Sequence, residues 1–302
     1  MKLVLFDDYK PGLLKGNDVV DLSSVVPKEG DGQKTMEGII VRFDSLRPTL
    51  NRQLAEGKEI PLSSVQLRAP LPRPSKILCV IGNYKEGTDR PIQPIDMFLK
   101  SPDSVLDPDG TVVLPPVDAT IFHHEAELAI VIGRRAKDVQ PAQAFEHIFG
   151  YTTFVDVSAR GTGRGTSFIG KSYDTFAPLG PCIATKDEIT NPHKLAVKLR
   201  VDGQLRHDYN TNDMEHQIPE IIEYATSVMT LNPGDIIACG TNHQGLGPLQ
   251  DGETVVMEIS GIGSFSFKVS DPSKRSWPKG VDEESARAVR ERTGAPGAAR
   301  SA

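Results

Sequence analysis

Apolar and polar residues alternate with a period of two along much of the chain, which predicts a protein built mainly from β-strands. The clearest example is LAVKLRV (195–201), which Asp202-Gly203 follows. An Asp-Gly pair at that place is typical of a two-residue hairpin turn. The segments TVVMEIS (254–260) and SFSFKVS (264–270), joined by two glycines, predict a second hairpin.

Helical periodicity is clearest over residues 219–229, where the apolar residues form one stripe. Pro219 suits a first helical turn, and Glu220 suits the positive end of the helix dipole. The rest of the chain predicts few helices. Residues 1–70 predict short strands with turns between them and a polar loop containing Gly30, Gly32 and Gly38.

Composition changes along the chain suggest three parts. We expect a small N-terminal domain (1–70) and a main domain (71–270). After Asp271 the sequence is rich in Ser, Lys, Arg, Gly and Ala, and predicts a loosely packed or disordered tail (271–302) with a short charged helix over residues 282–292.

The overall composition narrows the range of functions that the protein could have. With 38% apolar and 25% charged residues, the 302-residue chain is that of an ordinary globular protein. A net charge of −6 disfavours nucleic acid and anionic membrane surfaces as partners. Three widely spaced cysteines indicate neither a disulfide framework nor a structural zinc site. We see no transmembrane segment, signal peptide or nucleotide-binding motif and expect a soluble, cytoplasmic protein.

The segment HHEAELAIVIG (123–133) carries the strongest chemical signal. As a strand, it places Glu125 and Glu127 on one face with Ala129 and Val131. Two unpaired carboxylates beside the interior would cost several kcal/mol each, and a bound Mg²⁺ or Mn²⁺ would remove that cost. The alternative is a solvated strand end with two surface glutamates.

Two further charged residues follow. Asp156 lies within the apolar strand YTTFV–DV (151–157), where either an ion pair with Arg160 or metal coordination would satisfy it. Lys171 lies between Gly170 and a stiff loop rich in glycine and proline. It is either a surface lysine or a point charge for an anionic substrate oxygen.

These residues and the segments around them resemble a known protein family. From about Ile77 to Val269 the chain resembles the fumarylacetoacetate hydrolase superfamily, metal-dependent enzymes that act on acylpyruvates and related oxo acids. The resemblance implies an α+β, mainly β fold, a mixed β-sandwich roll with few helices, and a homodimer. The matching stretches occur in the family's order: ILCVIGNY, FLKSPDSV, HHEAELAIVIG, GYTTFVDVSARG, SFIGKSYDTFAPLGP, VDGQLRHDYNTNDM, LNPGDIIACGT and GIGSF.

The resemblance also implies roles. Glu125, Glu127 and Asp156 match the family's metal-binding carboxylates, with Mg²⁺ or Mn²⁺ as cofactor. Lys171 matches the lysine beside the metal, which contacts the substrate. Thr241 matches the threonine that lines the family's pocket, and Lys100 and Arg160 match recurrent charged positions. We assign these three residues to substrate binding, together with Tyr84 and with His207, which stands where the family often has a glutamine.

The chain departs from the family at the water-activating residues. Many hydrolases of this family have a histidine three positions after the asparagine-tyrosine pair, but here Asn83-Tyr84 is followed by Lys85, Glu86 and Gly87. A histidine works as a general base near neutral pH. We therefore expect His243 to be the base, with Glu86 as the alternative or as its partner. If the two histidines have no function at the site, His243 is a polar loop residue and His207 a surface residue of a hairpin.

The leading hypothesis is a Mg²⁺- or Mn²⁺-dependent hydrolase that cleaves a C–C bond in an acylpyruvate or related 2,4-dioxo acid. The missing histidine favours a second hypothesis, a tautomerase, isomerase, decarboxylase or lyase of a small 2-oxo acid on the same metal site. A third hypothesis is a catalytically inert binding protein with this fold. The presence of Glu125, Glu127, Asp156 and Lys171 argues against it.

Overall fold

The computed structural model describes residues 1–88, 91–162 and 167–293. It is dominated by strands, as the alternating pattern predicts. In chain order the strands are β1 (Lys2–Phe6), β2 (Lys10–Lys15), β3 (Asp18–Asp21), β4 (Glu59–Pro61), β5 (Leu67–Arg68), β6 (Ile77–Val80), β7 (Met97–Lys100), β8 (Val105–Leu106), β9 (Thr111–Val113), β10 (Ile121–His123), β11 (Ala126–Ile132), β12 (Ile148–Val155), β13 (Ser158–Arg160), β14 (Ala177–Thr185), β15 (Ala196–Val201), β16 (Gln204–Asn210), β17 (Ile236–Ala238), β18 (Thr254–Ile259) and β19 (Gly263–Ser270).

The helices are short. They are α1 (Gly32–Val41), α2 (Phe43–Glu56), α3 (Ser167–Lys171), α4 (Ile218–Val228) and α5 (Glu283–Thr293). Short 3₁₀ segments cover Leu62–Ser64, Pro102–Ser104, Pro141–His147, Thr211–Asp213 and His243–Gly245. No helix in these described ranges combines the length and apolarity that spanning a bilayer requires.

Most strands belong to two sheets. The larger has 12 strands and follows the order β4-β3-β2-β1-β14-β12-β11-β17-β6-β7, with β5 beside β1 and β8 beside β14. The smaller follows the order β16-β15-β18-β19-β9. Parallel pairs, such as β17 with β6, occur among antiparallel ones, so the sheets are mixed. This architecture confirms the predicted mainly β fold with few helices.

The central strands of the large sheet are buried on both faces. Every residue of β11 and β12 is buried. Leu128 and Ile130 pack with the small sheet, whereas Ala129 and Val131 pack with residues of α1 and α2. A sheet covered on both sides needs continuous apolar strands, which explains the near absence of polar residues after Glu127.

The two hairpins and the helix predicted after residue 217 are present. Asp202 and Gly203 have φ values of 48° and 77°, which suit the tight turn between β15 and β16. Strands β18 and β19 form the second hairpin. Helix α4 begins at Ile218, one residue before Pro219.

The N-terminal prediction missed two helices. The expected polar loop around Gly32 and Gly38 is helix α1, which begins where Asp31 accepts a hydrogen bond from the Lys34 amide at 2.9 Å. The two glycines concealed the apolar stripe of Met36, Ile39 and Ile40, which is buried. Moreover, β1 pairs with β14, so residues 1–70 share the large sheet with the main domain.

The C-terminal segment is packed more tightly than its composition suggests. Asp271 is buried and accepts hydrogen bonds from the Arg275 side chain, which also donates to the carbonyls of Pro115 and Val117 at 2.9 Å each. The Trp277 indole donates to the Thr120 carbonyl at 2.7 Å. Helix α5 nearly coincides with the predicted charged helix, and the part of the predicted tail after residue 293 lies outside the described residues.

Candidate metal centre and active site

Two neighbouring strands bring three carboxylates together. Glu125 immediately precedes β11, Glu127 is its second residue, and Asp156 immediately follows β12. Because β11 and β12 are antiparallel, with Ala126 opposite Val155, the start of one strand lies beside the end of the other. One oxygen from each of the three carboxylates lies within 4.8 Å of the others.

The three carboxylates are buried and mutually repulsive. Burial and the neighbouring charges of Asp156 and Glu125 raise the pKa of Glu127 well above its ordinary value. The Gly240 amide donates to Glu127 Oε2 at 2.7 Å and fixes its orientation. Gly240 has φ 85°, and a Cβ there would lie 3.1 Å from the Asn83 Cβ, so this contact depends on glycine.

Three cationic side chains surround the carboxylates. Lys171 Nζ donates to Glu125 Oε2 at 2.8 Å and to Asp156 Oδ2 at 2.5 Å. Lys100 Nζ donates to Asp156 Oδ1 at 2.6 Å and to the Lys171 carbonyl. Arg160 Nη2 donates to Glu125 Oε1. The sequence offered Arg160 as a partner for Asp156, but in the structure its partner is Glu125.

These ion pairs set the protonation of the site. Burial alone would raise the pKa of Glu125, but the charges of Lys171 and Arg160 outweigh it and hold that pKa well below its ordinary value. Burial likewise opposes the charge on Lys171, yet Asp156 and Glu125 outweigh it and raise the pKa of its ammonium. Glu125 is therefore an anion and Lys171 a cation near neutral pH.

The donor set fits a hard divalent cation. Its protein ligands would be carboxylate oxygens from rigid strand ends, as Mg²⁺ and Mn²⁺ prefer. A cation among these oxygens would also remove the repulsion that raises the pKa of Glu127. The structure thus brings together three carboxylates, Glu125, Glu127 and Asp156, that could hold such a cation.

A cleft of about 110 Å³ opens beside this centre. Its wall contains Glu125, Arg160, Lys171, Thr241 and His243, all of which the sequence indicates as site residues. Residues that the sequence did not single out complete the wall: Val80, Ile81, Gly82, Phe98 and Ser167. The cleft is small and lined by opposite charges, which suits a small anionic ligand.

His243 and Glu86 form a hydrogen-bonded pair at the cleft. His243 Nδ1 lies 2.5 Å from Glu86 Oε1, and the His243 amide donates to the same oxygen at 2.9 Å. With Nδ1 donating to the carboxylate, Nε2 is left as the basic nitrogen. Glu86 and Gly87 adopt successive left-handed conformations, with φ 55° and 69°, in the loop that follows β6.

Three of the predicted substrate-binding residues lie behind the cleft wall. Lys100 is fully buried and bonded to Asp156. Tyr84 packs edge-to-face on Tyr209 at 4.9 Å between ring centres. His207 is 1% exposed, and its Nε2 lies 3.2 Å from Nδ1 of His124. Their contacts therefore suit residues that hold the wall of the cleft in place rather than residues that touch a ligand.

Burial keeps the histidine pair neutral. It lowers the pKa of His207 to about 4 and lowers that of His124 well below its ordinary value. His207 is therefore not a surface residue of the hairpin, since β16 places its side chain in the core. It also lacks the protonation range of a general acid near neutral pH.

Sequence reasoning missed several supporting residues. Ser158 Oγ donates to Glu125 Oε1 at 3.0 Å, and Asn83 Nδ2 donates to the Cys239 carbonyl at 2.9 Å, beside Gly240. Tyr209 donates to the Ala126 carbonyl between the two glutamates. Ser158 had a detectable signal, because it is the polar residue two positions after Asp156 in an apolar strand.

Comparison with known proteins agrees with this geometry. A family model for the C-terminal domain of fumarylacetoacetate (FAA) hydrolase matches residues 76–270, which contain all the site residues described above. The chain belongs to the fumarylacetoacetate hydrolase family.

Relatives within the family carry different activities in their names. The mitochondrial oxaloacetate tautomerase FAHD2B of Bos taurus is 35% identical over 277 residues, covering 85% of this chain and 86% of the relative. A crystal structure of maleylpyruvate hydrolase from Sphingobium sp. SYK-6, in complex with manganese(II) and pyruvate, superposes with a TM-score of 0.82 and 35% identity, covering 90% and 99% of the two chains. The crystal structure of a 5-carboxymethyl-2-hydroxymuconate delta-isomerase from Mycobacterium smegmatis superposes with a TM-score of 0.72 and 33% sequence identity. The match covers 90% of this chain and 99% of the isomerase.

Proposed function

We propose that this family member is a metal-dependent hydrolase of a small acylpyruvate or related 2,4-dioxo acid. It adds water across a C–C bond and releases pyruvate and a carboxylic acid. The observation that carries the proposal is the His243–Glu86 pair in the wall of the cleft that also contains Glu125 and Lys171. Hydrolysis needs a base for the attacking water, and this pair supplies one.

The charge balance of the site supports an anionic oxo acid as substrate. Glu125 and Asp156 already form ion pairs with Lys100, Lys171 and Arg160. A Mg²⁺ or Mn²⁺ held by the carboxylates would add two positive charges and polarise the 2-oxo group. The extra charge is balanced when an anionic substrate binds. The manganese and pyruvate in the Sphingobium relative agree with this assignment.

The protein's own residues have separate tasks in this proposal. Lys171 places its ammonium beside the substrate oxygens and stabilises the negative charge that develops on them. Arg160 and Thr241 hold the substrate from the cleft wall. Glu86 orients the His243 ring so that Nε2 takes the proton from water and later returns it to the departing carbon.

Tautomerisation of a 2-oxo acid is the second candidate. It needs the same base and cation without water attack. The similarity to the Bos taurus oxaloacetate tautomerase over 85% of the chain favours it, as does the absence of the family's usual histidine after Tyr84. Decarboxylation would use the same charge stabilisation at a different bond.

Product analysis separates these reactions. Acetylpyruvate, longer acylpyruvates and oxaloacetate are incubated with the protein, with and without Mg²⁺ or Mn²⁺. Hydrolysis gives equal amounts of pyruvate and carboxylic acid from an acylpyruvate, only with metal. Interconversion of keto and enol oxaloacetate without cleavage would replace the hydrolase proposal by the tautomerase, and release of CO₂ by the decarboxylase.

The assignment of His243 as base gives a specific expectation. His243→Asn removes the proton acceptor, so kcat should fall by roughly 10² to 10⁴-fold. Glu86→Gln should give a smaller loss, because the ring loses its charged partner but remains a base.

The control for this experiment is His147→Asn, since His147 lies at the opposite end of β12 from Asp156. It should leave kcat and KM unchanged under saturating Mg²⁺. If His243→Asn keeps the wild-type kcat, the base is a different group.

We also propose a homodimer. Leu99 and Ile81 are 47% and 38% exposed, and the adjacent helix α3 exposes Phe168 and Ile169. Strand β7, which carries Leu99, is the last strand of the large sheet. An apolar patch of this kind favours association. Sedimentation equilibrium that gives a single species of 32.8 kDa would contradict the dimer.

A further inference from the structure

The C-terminal segment reaches the active site from outside the family domain. The family model ends at residue 270, and residues 271–286, named here the C-terminal strap, follow it. The strap is fastened at one end by Arg275 and Trp277. At its other end Asp282 begins helix α5, and the Asp282 amide donates to the Leu246 carbonyl at 2.8 Å.

The strap packs closely on the turn that carries His243. Leu246 directly follows the 3₁₀ turn His243–Gly245, and helix α5 contacts that turn. A Cβ added at Gly247 would lie 2.5 Å from the Gly280 carbonyl oxygen, so the two backbones touch. The strap therefore packs directly against the turn that carries His243.

A chain of hydrogen bonds runs from the strap to a metal-binding residue. Asp282 Oδ2 lies 3.2 Å from Nε2 of His123. Arg160 Nε donates to Nδ1 of His123 at 3.2 Å, and Arg160 Nη2 donates to Glu125. The Asp282 carboxylate has a second task, since its Oδ1 accepts the Ser285 amide at 2.9 Å and caps α5.

Hydrogen-bonding rules fix the direction of this chain. Arginine has only donors, so Nδ1 of His123 must be the acceptor and the ring proton must be on Nε2. That proton needs an acceptor in turn, which Asp282 supplies. His123 is buried, and its partners leave no room for the other tautomer. Asp282 is therefore the residue that makes His123 an acceptor for Arg160.

We propose that Asp282 is a positioning residue: through His123 it holds Arg160 in the orientation that binds the substrate carboxylate. The proposal rests on the proposed function for the identity of the ligand, but the hydrogen-bond chain itself does not depend on it. Substrate affinity in this protein thus depends on a segment that follows the matched residues 76–270.

The variant Asp282→Asn tests the chain selectively. Its single side-chain oxygen still accepts the Ser285 amide, whereas its NH₂ group would meet the Nε2–H of His123 donor to donor. We expect the affinity of the Mn²⁺-loaded protein for pyruvate, measured by calorimetry, to weaken about tenfold or more. The matched control is Glu283→Gln, which removes the same charge from the exposed neighbouring residue and should leave the affinity unchanged.

Two further measurements separate positioning from a general loosening of the strap. Trp277 is the single tryptophan of the chain, so its fluorescence reports whether the strap is docked, and Asp282→Asn should leave it unchanged. Arg160→Lys removes the Nε donor. In that background Asp282→Asn should have no additional effect on pyruvate affinity, because the chain is already broken.

Equal pyruvate affinity in wild type and Asp282→Asn would overturn the positioning role. Failure of the wild type to bind pyruvate would instead contradict the proposed substrate class. The crystal structure of metal-free Asp282→Asn then decides the positioning role alone. A displaced Arg160 side chain supports it, and an Arg160 still bonded to His123 and Glu125 overturns it.

Discussion

Replacing Glu127 by glutamine should abolish metal-dependent activity and weaken Mn²⁺ binding by at least about 100-fold. Changes to residues that only orient metal ligands already lower affinity 10- to 100-fold, so loss of a ligand charge has at least that effect. The same outcome is expected for Glu125→Gln and Asp156→Asn, and a chelator should stop the wild type. Calorimetric titration with Mn²⁺ measures the affinities, and Glu258→Gln, an exposed residue of β18, is the control.

The metal-free variants distinguish a lost ligand from a lost fold. Crowding of three buried carboxylates destabilises the metal-free protein, and Glu127→Gln removes part of that repulsion while glutamine still accepts the Gly240 amide. Its melting temperature without metal should equal or exceed that of the wild type. Unchanged Mn²⁺ affinity in all three variants would refute the metal centre.

Lys171→Met should lower kcat by roughly 10² to 10³-fold while KM changes little. Such a loss is typical when one group that stabilises developing charge is removed. The side-chain lengths are similar, so the main change is the missing ammonium. If the lysine acts in the transition state, kcat and kcat/KM should fall together.

The sign of the effect on metal binding makes this experiment specific. Lys171 Nζ lies 2.8 Å from Glu125 Oε2, so it repels a cation bound there. Lys171→Met should therefore bind Mn²⁺ as tightly as the wild type or more tightly, even though it is nearly inactive. The control is Lys198→Met on β15, a strand of the small sheet. A Lys171→Met variant with wild-type kcat would show that the lysine has only a structural role.

Local patterns predicted the parts of the fold and site that depend on neighbouring residues. The period of two placed Glu125 and Glu127 on one face, and Asp202-Gly203 identified its hairpin turn. The family resemblance then joined Asp156 and Lys171 to the two glutamates. The three carboxylates lie in or directly beside β11 and β12, which are central and buried on both sides, so few other arrangements satisfy their charges.

Other features depend on contacts that no local pattern contains. Glu127 and Gly240 are 113 residues apart, and Glu86 and His243 are 157 apart. The pairing of His243 with Glu86 was predicted only as an alternative, because sequence spacing does not show how the loop after β6 folds. The strap was hidden by its polar composition: its docking depends on Arg275 and Trp277, whose partners lie about 150 residues earlier.

The pairing of β1 with β14 limits how this protein can be dissected. The family-matched segment 76–270 contains every metal-binding and catalytic residue proposed here, yet its strand β14 pairs with β1, which lies outside it. Without the N-terminal residues, β14 would present unpaired backbone groups, and the outer face of β11 and β12 would lose its cover from α1 and α2. That exposed apolar surface would favour aggregation. In this chain the N-terminal strands and helices therefore cover one face of the large sheet, and we expect that a truncated version of this protein has to keep them to remain folded.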